Sequence, residues 1–311
     1  MTALKITPLF GVLSIFAISF LSCQDGANTK QQAIAENTSI PHESNEQNST
    51  SQNFKKYWYG GEAEITSYTL TQARYGELRS GTAVHIFVTE PFLKEKQVKA
   101  DYANPDNIPV LKLNTTKNFI TGIYPYSLMT SSFYPVKEQS HALKISYSSQ
   151  EWCGQVYTQL NNKAAFEITG HSYFEKEGDA SFSLEKTFLE DELWNMIRIN
   201  PTSLPQGDFA LIPSLEFCGL NHLPLKAYSA KATLEVIDAA YHYKIVYPTL
   251  QRTLIIIFSK EFPFTIESWS DKQVSKGVVL TSKATKIKTI RAPYWQQNKN
   301  KDLYLRNILG L

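Results

Sequence analysis

LKAYSAKATLEV (Leu225–Val236), YHYKIVY (Tyr241–Tyr247) and TLIIIFS (Thr253–Ser259) stand in close succession, and their reading decides the fold. In the first two, apolar and polar residues alternate, which is the period of a strand with one buried face. The third is a short apolar run rich in β-branched residues, of strand length and far below the length of a membrane span. The connections are too short to hold a crossover helix, so the strands they join must pair antiparallel.

The same texture extends outward in both directions. Glu62–Leu70, Thr82–Thr89, Val110–Asn114, Ile120–Tyr126, Ser132–Val136, Ala142–Ser148, Gln155–Leu160 and Phe166–Phe174 read as strands on the N-terminal side; Phe209–Ile212, Thr265–Trp269 and Gly277–Ile290 complete the C-terminal side. The expected fold is mainly β: a large antiparallel meander forming a sandwich, half-barrel or clam. One helix interrupts it. In Ser183–Arg198, residues Leu184, Phe188, Leu189, Leu193, Met196 and Ile197 share a face, Ser183 can cap the start, and Asn200-Pro201 ends it. The spacing predicts an amphipathic helix over 183–198 packed on the sheet, with Asp191 and Glu192 on its polar side. Pro201–Gly207 then divides the sheet into two halves without an evident internal repeat.

The N-terminus differs in kind. Lys5 precedes an apolar run from Leu9 to Leu21 that is shorter than the roughly 20 residues a bilayer requires, so it reads as a signal peptide. It ends in Phe20-Leu21-Ser22-Cys23, which resembles the lipobox of bacterial lipoproteins. The resemblance implies removal of residues 1–22, attachment of lipid to Cys23, and anchorage to a membrane. Residues 24–53 are dominated by Gln, Asn, Ser, Thr and Glu and cannot bury enough apolar surface to offset ordering entropy. They read as a disordered tether, leaving 54–311 as a single large β-rich domain.

Composition excludes several classes. With 42% hydrophobic and 19% charged residues, the 311-residue chain is neither disordered nor collagen-like. Its 31 basic and 29 acidic residues give a net charge of +2, which argues against nucleic acid as a partner. The 17 Tyr, 17 Phe and 5 Trp are numerous enough to pair across a wide sheet or to line a cavity.

Four segments carry a wider resemblance: Lys56–Tyr68 (KYWYGGEAEITSY), Gly122–Tyr126 (GIYPY), Glu151–Leu160 (EWCGQVYTQL) and Arg198–Pro201 (RINP). Together the chain resembles a family of uncharacterised lipoproteins from Bacteroidota, over essentially Phe54 to Trp269. The resemblance implies an outer-membrane lipoprotein of the cell envelope, facing the periplasm or the cell surface. Some members of that family carry the label septum formation inhibitor Maf. Maf proteins are cytosolic nucleotide pyrophosphatases of α/β fold that open with a Ser- and Arg-rich phosphate-binding segment. No such segment, P-loop or acidic metal cluster is present in this sequence, so Maf-type catalysis is not expected.

Other chemistry is sparse. The six histidines (His42, His85, His141, His171, His222, His242) show no metal-ligand spacing, and neither a metal nor another cofactor is expected. Cys153 follows Glu151-Trp152, but Val156 stands where a redox motif needs its second cysteine. As a nucleophile Cys153 would need a base, for which His171 is the nearest along the chain, with His141 and His222 as further choices. The alternative is a buried, inert thiol in a strand. With Cys23 lipidated, Cys153 and Cys218 remain as candidates for one disulfide in an oxidising periplasm. Glu175, Glu177 and Asp179 read as a solvated turn. The lysines and arginine between Lys272 and Arg291 read either as a face for anionic lipid or as the protected edge of a sheet. The expectation is a non-catalytic envelope lipoprotein that binds an apolar ligand or another envelope component. Its alternative is a Cys/His-dependent hydrolase or transferase centred on Cys153 and His171.

Overall fold

The computed structural model describes residues 51–137, 140–275 and 277–311. Cys23, the signal segment and nearly all of the tether lie outside the described residues. The first described element is a helix, α1 (Gln52–Trp58), whose Ser51 hydroxyl accepts the Phe54 N–H. Residues 51–53, expected to belong to the disordered tether, are part of this capped helix. All the described residues fall within one compact unit, and the two halves expected to meet around 201–207 belong to it together.

One large, mostly antiparallel sheet makes up the domain, with 56% of residues in strands. Its first arm runs β1 (Ala63–Arg74), β2 (Glu77–Leu93), the short β3 (Val98–Lys99), β4 (Ile108–Thr121), β5 (Tyr124–Pro135), β6 (Lys144–Glu151), β7 (Gly154–Asn162), β8 (Phe166–Ser172) and β9 (Ala180–Leu184). The second arm runs β10 (Phe188–Leu189), β11 (Gly207–Ile212), β12 (Tyr228–Ile237), β13 (Ala240–Tyr247), β14 (Arg252–Ser259), β15 (Ile266–Ser275) and β16 (Val278–Ala292). The spatial order is β10 to β16, then β1, β2, β4 and on to β9, with β3 attached to β2. The arms are thus joined where β16 pairs with β1, near the two ends of the domain. Short hairpins dictate the antiparallel pairing, and β10–β11 is the parallel exception. Gly81 permits one close approach: a Cβ there would stand 2.2 Å from the Asn118 carbonyl oxygen of β4.

Three further helices complete the described structure: α2 (Glu190–Ile199), α3 (Leu215–Asn221) and α4 (Tyr304–Leu309). Alternation decides which side of the sheet meets which helix. On β1 and β2, Tyr68, Leu70, Ala83 and Phe87 join the main core with Leu193, Met196 and Ile197 of α2 and Leu215 and Leu220 of α3. The opposite parity, Ala63, Ile65, Val84, Ile86 and Val88, packs with Leu309 of α4. The sheet therefore curls around α2 and α3 and carries α4 on its back.

Four expectations are corrected here. The helix begins at Glu190, because Ser183 and Leu184 are claimed by β9 and Phe188-Leu189 by β10, so sheet pairing overrides the helical spacing. Asp191 and Glu192 do not face solvent: the first turn of α2, Glu190 included, is buried against the sheet. Ile120–Tyr126 is not one strand, since Thr121 and Tyr124 flank a hairpin turn at Gly122 (φ 59°). The basic strand β16 lies in the middle of the sheet between β15 and β1 and protects no edge; Lys286 pairs with Glu267 and Arg291 with Glu62. Among the described residues, no helix is long and apolar enough to cross a membrane.

Candidate functional site: a polar cavity inside the curled sheet

Antiparallel register places residues of neighbouring strands side by side, so a polar residue on the inner face of several strands becomes a polar row. His85 of β2 stands opposite Thr115 of β4, Thr115 opposite Thr130 of β5, and Thr130 opposite Tyr147 of β6. Ser132 lies two residues along β5, opposite Leu113. His85, Thr115, Thr130 and Ser132 of this row border a cavity of about 350 Å³ between the sheet and the two inner helices, a volume in the range of small-molecule sites. His85, Thr130 and Ser132 are 1%, 8% and 1% exposed. The His85 Nδ1, Thr130 Oγ1 and Ser132 Oγ make no hydrogen bond within the protein. Buried polar atoms are almost always partnered, and leaving one without costs about 1–3 kcal/mol. Three residues with such atoms line one cavity wall. Burial, with Lys117 and Arg198 nearby, lowers the His85 pKa to about 3, so its ring is neutral. The ring stacks on Trp269 at 4.8 Å and meets the edge of Trp194 at 5.4 Å, which fixes its plane.

The opposite wall is charged and mostly self-neutralised. Glu190, the first residue of α2, receives the Arg252 guanidinium at 2.6 and 2.8 Å and the Tyr247 hydroxyl at 2.6 Å. Asp271 of β15 takes the other side of the same guanidinium, with two contacts of 2.8 Å. The Phe217 ring lies 3.8 Å from it. Burial alone would raise the Glu190 carboxyl, but the Arg252 charge and hydrogen bonds hold it below the usual carboxylate range. Lys117 of β4 pairs with Glu216 of α3 at 2.6 Å. Two lining groups have no counter-ion of this kind. Asp191 accepts the Leu215 N–H at 2.9 Å, and burial raises its pKa to about 7, with Glu190 and Glu216 adding to the rise. Arg74 donates to the Leu220 carbonyl and to the hydroxyls of Tyr75 and Tyr126, and its buried Nε has no partner.

A second chamber of about 330 Å³ lies on the other side of α3, against β7, β8 and β9. Its lining is chiefly apolar, with Val156, Ile168, Phe182, Leu215 and Leu225. Helix α3 thus turns Glu216 and Phe217 to the polar cavity and Cys218 and Gly219 to the apolar one.

The residues expected from sequence lie elsewhere. Cys153 occupies the turn between β6 and β7 and is exposed, not buried in a strand. Its N–H donates to Glu151 at 2.7 Å, and its thiol pKa is raised by a hydrogen bond to the same carboxylate, which disfavours the nucleophilic thiolate. His171 sits on β8 and pairs with Asp179 at 3.2 Å. No hydrogen bond joins Cys153 to His171: the one contacts Glu151 and the other Asp179. Cys218 is buried in α3, where burial pushes its thiol up to about 12. Both cysteines are free, so the Cys153–Cys218 disulfide is not formed: one belongs to a surface turn and the other to an inner helix. His141 bonds Glu192, and His222, which lines the cavity, bonds Glu177, so Glu177 is a structural acceptor and not simply a solvated turn residue. Among the described residues, no group of three or more His, Cys, Asp or Glu could hold a metal ion.

From the sequence, His85 reads as a solvent-facing or hydrogen-bonded side chain of an alternating strand and Asp191 as part of a polar helix face, and neither is singled out as part of a site. One signal was available: His85 shares the parity of Ala83 and Phe87, so a buried face for those two buries it as well. Nothing local distinguishes Thr130 or Ser132 from the exposed hydroxyls common in strands.

Comparison with protein-family models, with curated proteins and with solved structures finds no match for the chain.

Proposed function

We propose that this protein is a membrane-anchored envelope lipoprotein that acts by binding, without catalysis, and that its ligand is a small polar molecule held in the cavity between the curled sheet and helices α2 and α3. The observation that carries this reading is the set of buried, unpartnered polar atoms on the cavity wall, His85 Nδ1, Thr130 Oγ1 and Ser132 Oγ. A ligand that met them would recover the desolvation they have already paid. The ion pairs Arg252–Glu190–Asp271 and Lys117–Glu216 support the reading, because the charges they contain already have partners within the protein.

Two measurements test it. Screening the full-length protein in detergent by thermal shift against a pool of sugars, amino acids, short peptides and nucleosides should give at least one stabilising compound. Thr130→Val with Ser132→Ala should weaken that compound about tenfold or more while leaving unliganded stability unchanged or higher, since two unpaired buried hydroxyls are removed. No stabilising compound, together with no small polar molecule recovered from the purified protein by mass spectrometry, overturns the reading.

The apolar chamber favours a second reading, an acyl-bearing ligand on the far side of α3. Lipid recovered from repeated preparations and lost on Ile168→Asp would support it; consistently empty protein that takes up no supplied lipid would sink it. Anchorage is tested separately. Cys23→Ala should abolish incorporation of labelled fatty acid and move most of the protein out of the membrane fraction; unchanged labelling refutes lipidation at Cys23.

A further inference from the structure

The two unmatched charges of the polar cavity stand at opposite ends of one short helix. Asp191 is bonded to the N–H of Leu215, the first residue of α3, and Arg74 to the carbonyl of Leu220, near its last. Five residues of helix rise about 7.5 Å. With a side chain reaching each end, the carboxyl and the guanidinium stand on the order of 10 Å apart, and both line the same cavity. An extended peptide advances about 3.3–3.6 Å per residue, so three residues cover that span. We propose that the cavity binds a short peptide of about three residues with free termini, its ammonium at Asp191 and its carboxylate at Arg74. This rests on the polar-ligand reading above and names the ligand class.

The donors and acceptors suit such a ligand. A guanidinium has five N–H groups, of which the Leu220 carbonyl and the Tyr75 and Tyr126 hydroxyls take three. The buried Nε–H remains without a partner, and it belongs to a planar group whose donors match a carboxylate. At the other end, Asp191 has no ion-pair partner of its own, Arg252 and Lys117 being engaged by Glu190 and Glu216, which leaves its carboxyl to meet a cation in the cavity. Between the ends, the Thr130 and Ser132 hydroxyls and the neutral His85 ring offer uncharged partners to peptide N–H and C=O groups. Their chemistry matches a ligand that is charged at its termini and neutral in its middle.

The test uses the unmodified full-length protein and Ala-Ala-Ala, titrated calorimetrically beside N-acetyl-Ala-Ala-Ala and Ala-Ala-Ala amide. Blocking either terminus should weaken binding at least tenfold. Asp191→Asn can still accept the Leu215 N–H through its amide oxygen, and it should remove the preference for the free N-terminus, binding the acetylated peptide as well as the free one. Equal binding of blocked and free peptides overturns the proposal, as does a preference for the free N-terminus that survives in Asp191→Asn. If the tripeptides fail while another compound of the polar pool binds, the ligand class is wrong and the cavity reading stands; if nothing binds, both fall.

Discussion

Replacing Arg198 by Met should destabilise the protein by about 3–5 kcal/mol, the largest effect expected of any single change here. Arg198 is 1% exposed and donates to both Glu64 oxygens at 2.6 Å, while its Nε donates to the Pro263 carbonyl at 2.8 Å. Phe87 and Trp58 face the guanidinium at 4.6 and 5.1 Å. Burial alone would raise the Glu64 carboxyl, yet the charge of Arg198 holds it below the usual range, aided by the Tyr57 hydroxyl. Removing the arginine leaves a buried carboxylate without its two-pronged partner, and that poorly compensated charge sets the size of the effect. Methionine fills much of the volume, so the loss reports electrostatics more than packing. The matching prediction is that Arg198→Met with Glu64→Leu recovers most of the stability, because two apolar side chains need no partner. Urea denaturation midpoints at unchanged slope measure both. A single variant losing less than about 1 kcal/mol, or a double variant no better than the single, contradicts the account. The pair also joins α2 to β1, so its loss should loosen the helix that forms one wall of the cavity.

Asp191→Asn should change the pH dependence of stability in a defined direction. The folded carboxyl titrates near 7 against an ordinary 3.8, raised first by burial and then by Glu190 and Glu216. Between those values the folded state keeps a proton that the unfolded chain has released. Stability from this group is therefore fully present below about pH 3.8 and is lost as pH rises through 7. Moving a carboxyl that far costs on the order of 4 kcal/mol for its charged form. Asparagine carries no such cost. The stability of wild type minus that of Asp191→Asn should therefore fall by about 2–4 kcal/mol between pH 4.5 and pH 8. Parallel stability curves over that range would show that the carboxyl is not perturbed. The sign separates this residue from Glu64 and Glu190, whose lowered pKa values contribute stability above the ordinary carboxylate range that is lost as pH falls.

The two cases differ in how far they could be read in advance. Lys56–Tyr68 and Arg198–Pro201 stand out as sequence segments and contain Glu64 and Arg198, but nothing local says that residues so far apart in the chain form one ion pair. Asp191 is harder still. On a helical wheel it falls on the polar side, and only the closure of the sheet around both flanks of α2 denies that side its water. An amphipathic pattern tells which face is apolar and not whether the other face meets solvent.

What the sequence determined alone is local. Alternation at period two fixed the strands, short polar connections fixed their antiparallel pairing, and together these placed the fold among curled β sheets. Tertiary structure decided the rest. Sheet pairing claimed Ser183, Leu184, Phe188 and Leu189 from the expected helix, because ladder hydrogen bonds outweigh a few tenths of a kcal/mol of helix propensity. Register aligned His85, Thr115 and Thr130 from three strands into one polar row. Closure around α2 and α3 gave that row its burial, its cavity and its unmatched charges. Burial and pairing depend on what lies opposite a residue in space, and no stretch of neighbouring residues carries that information.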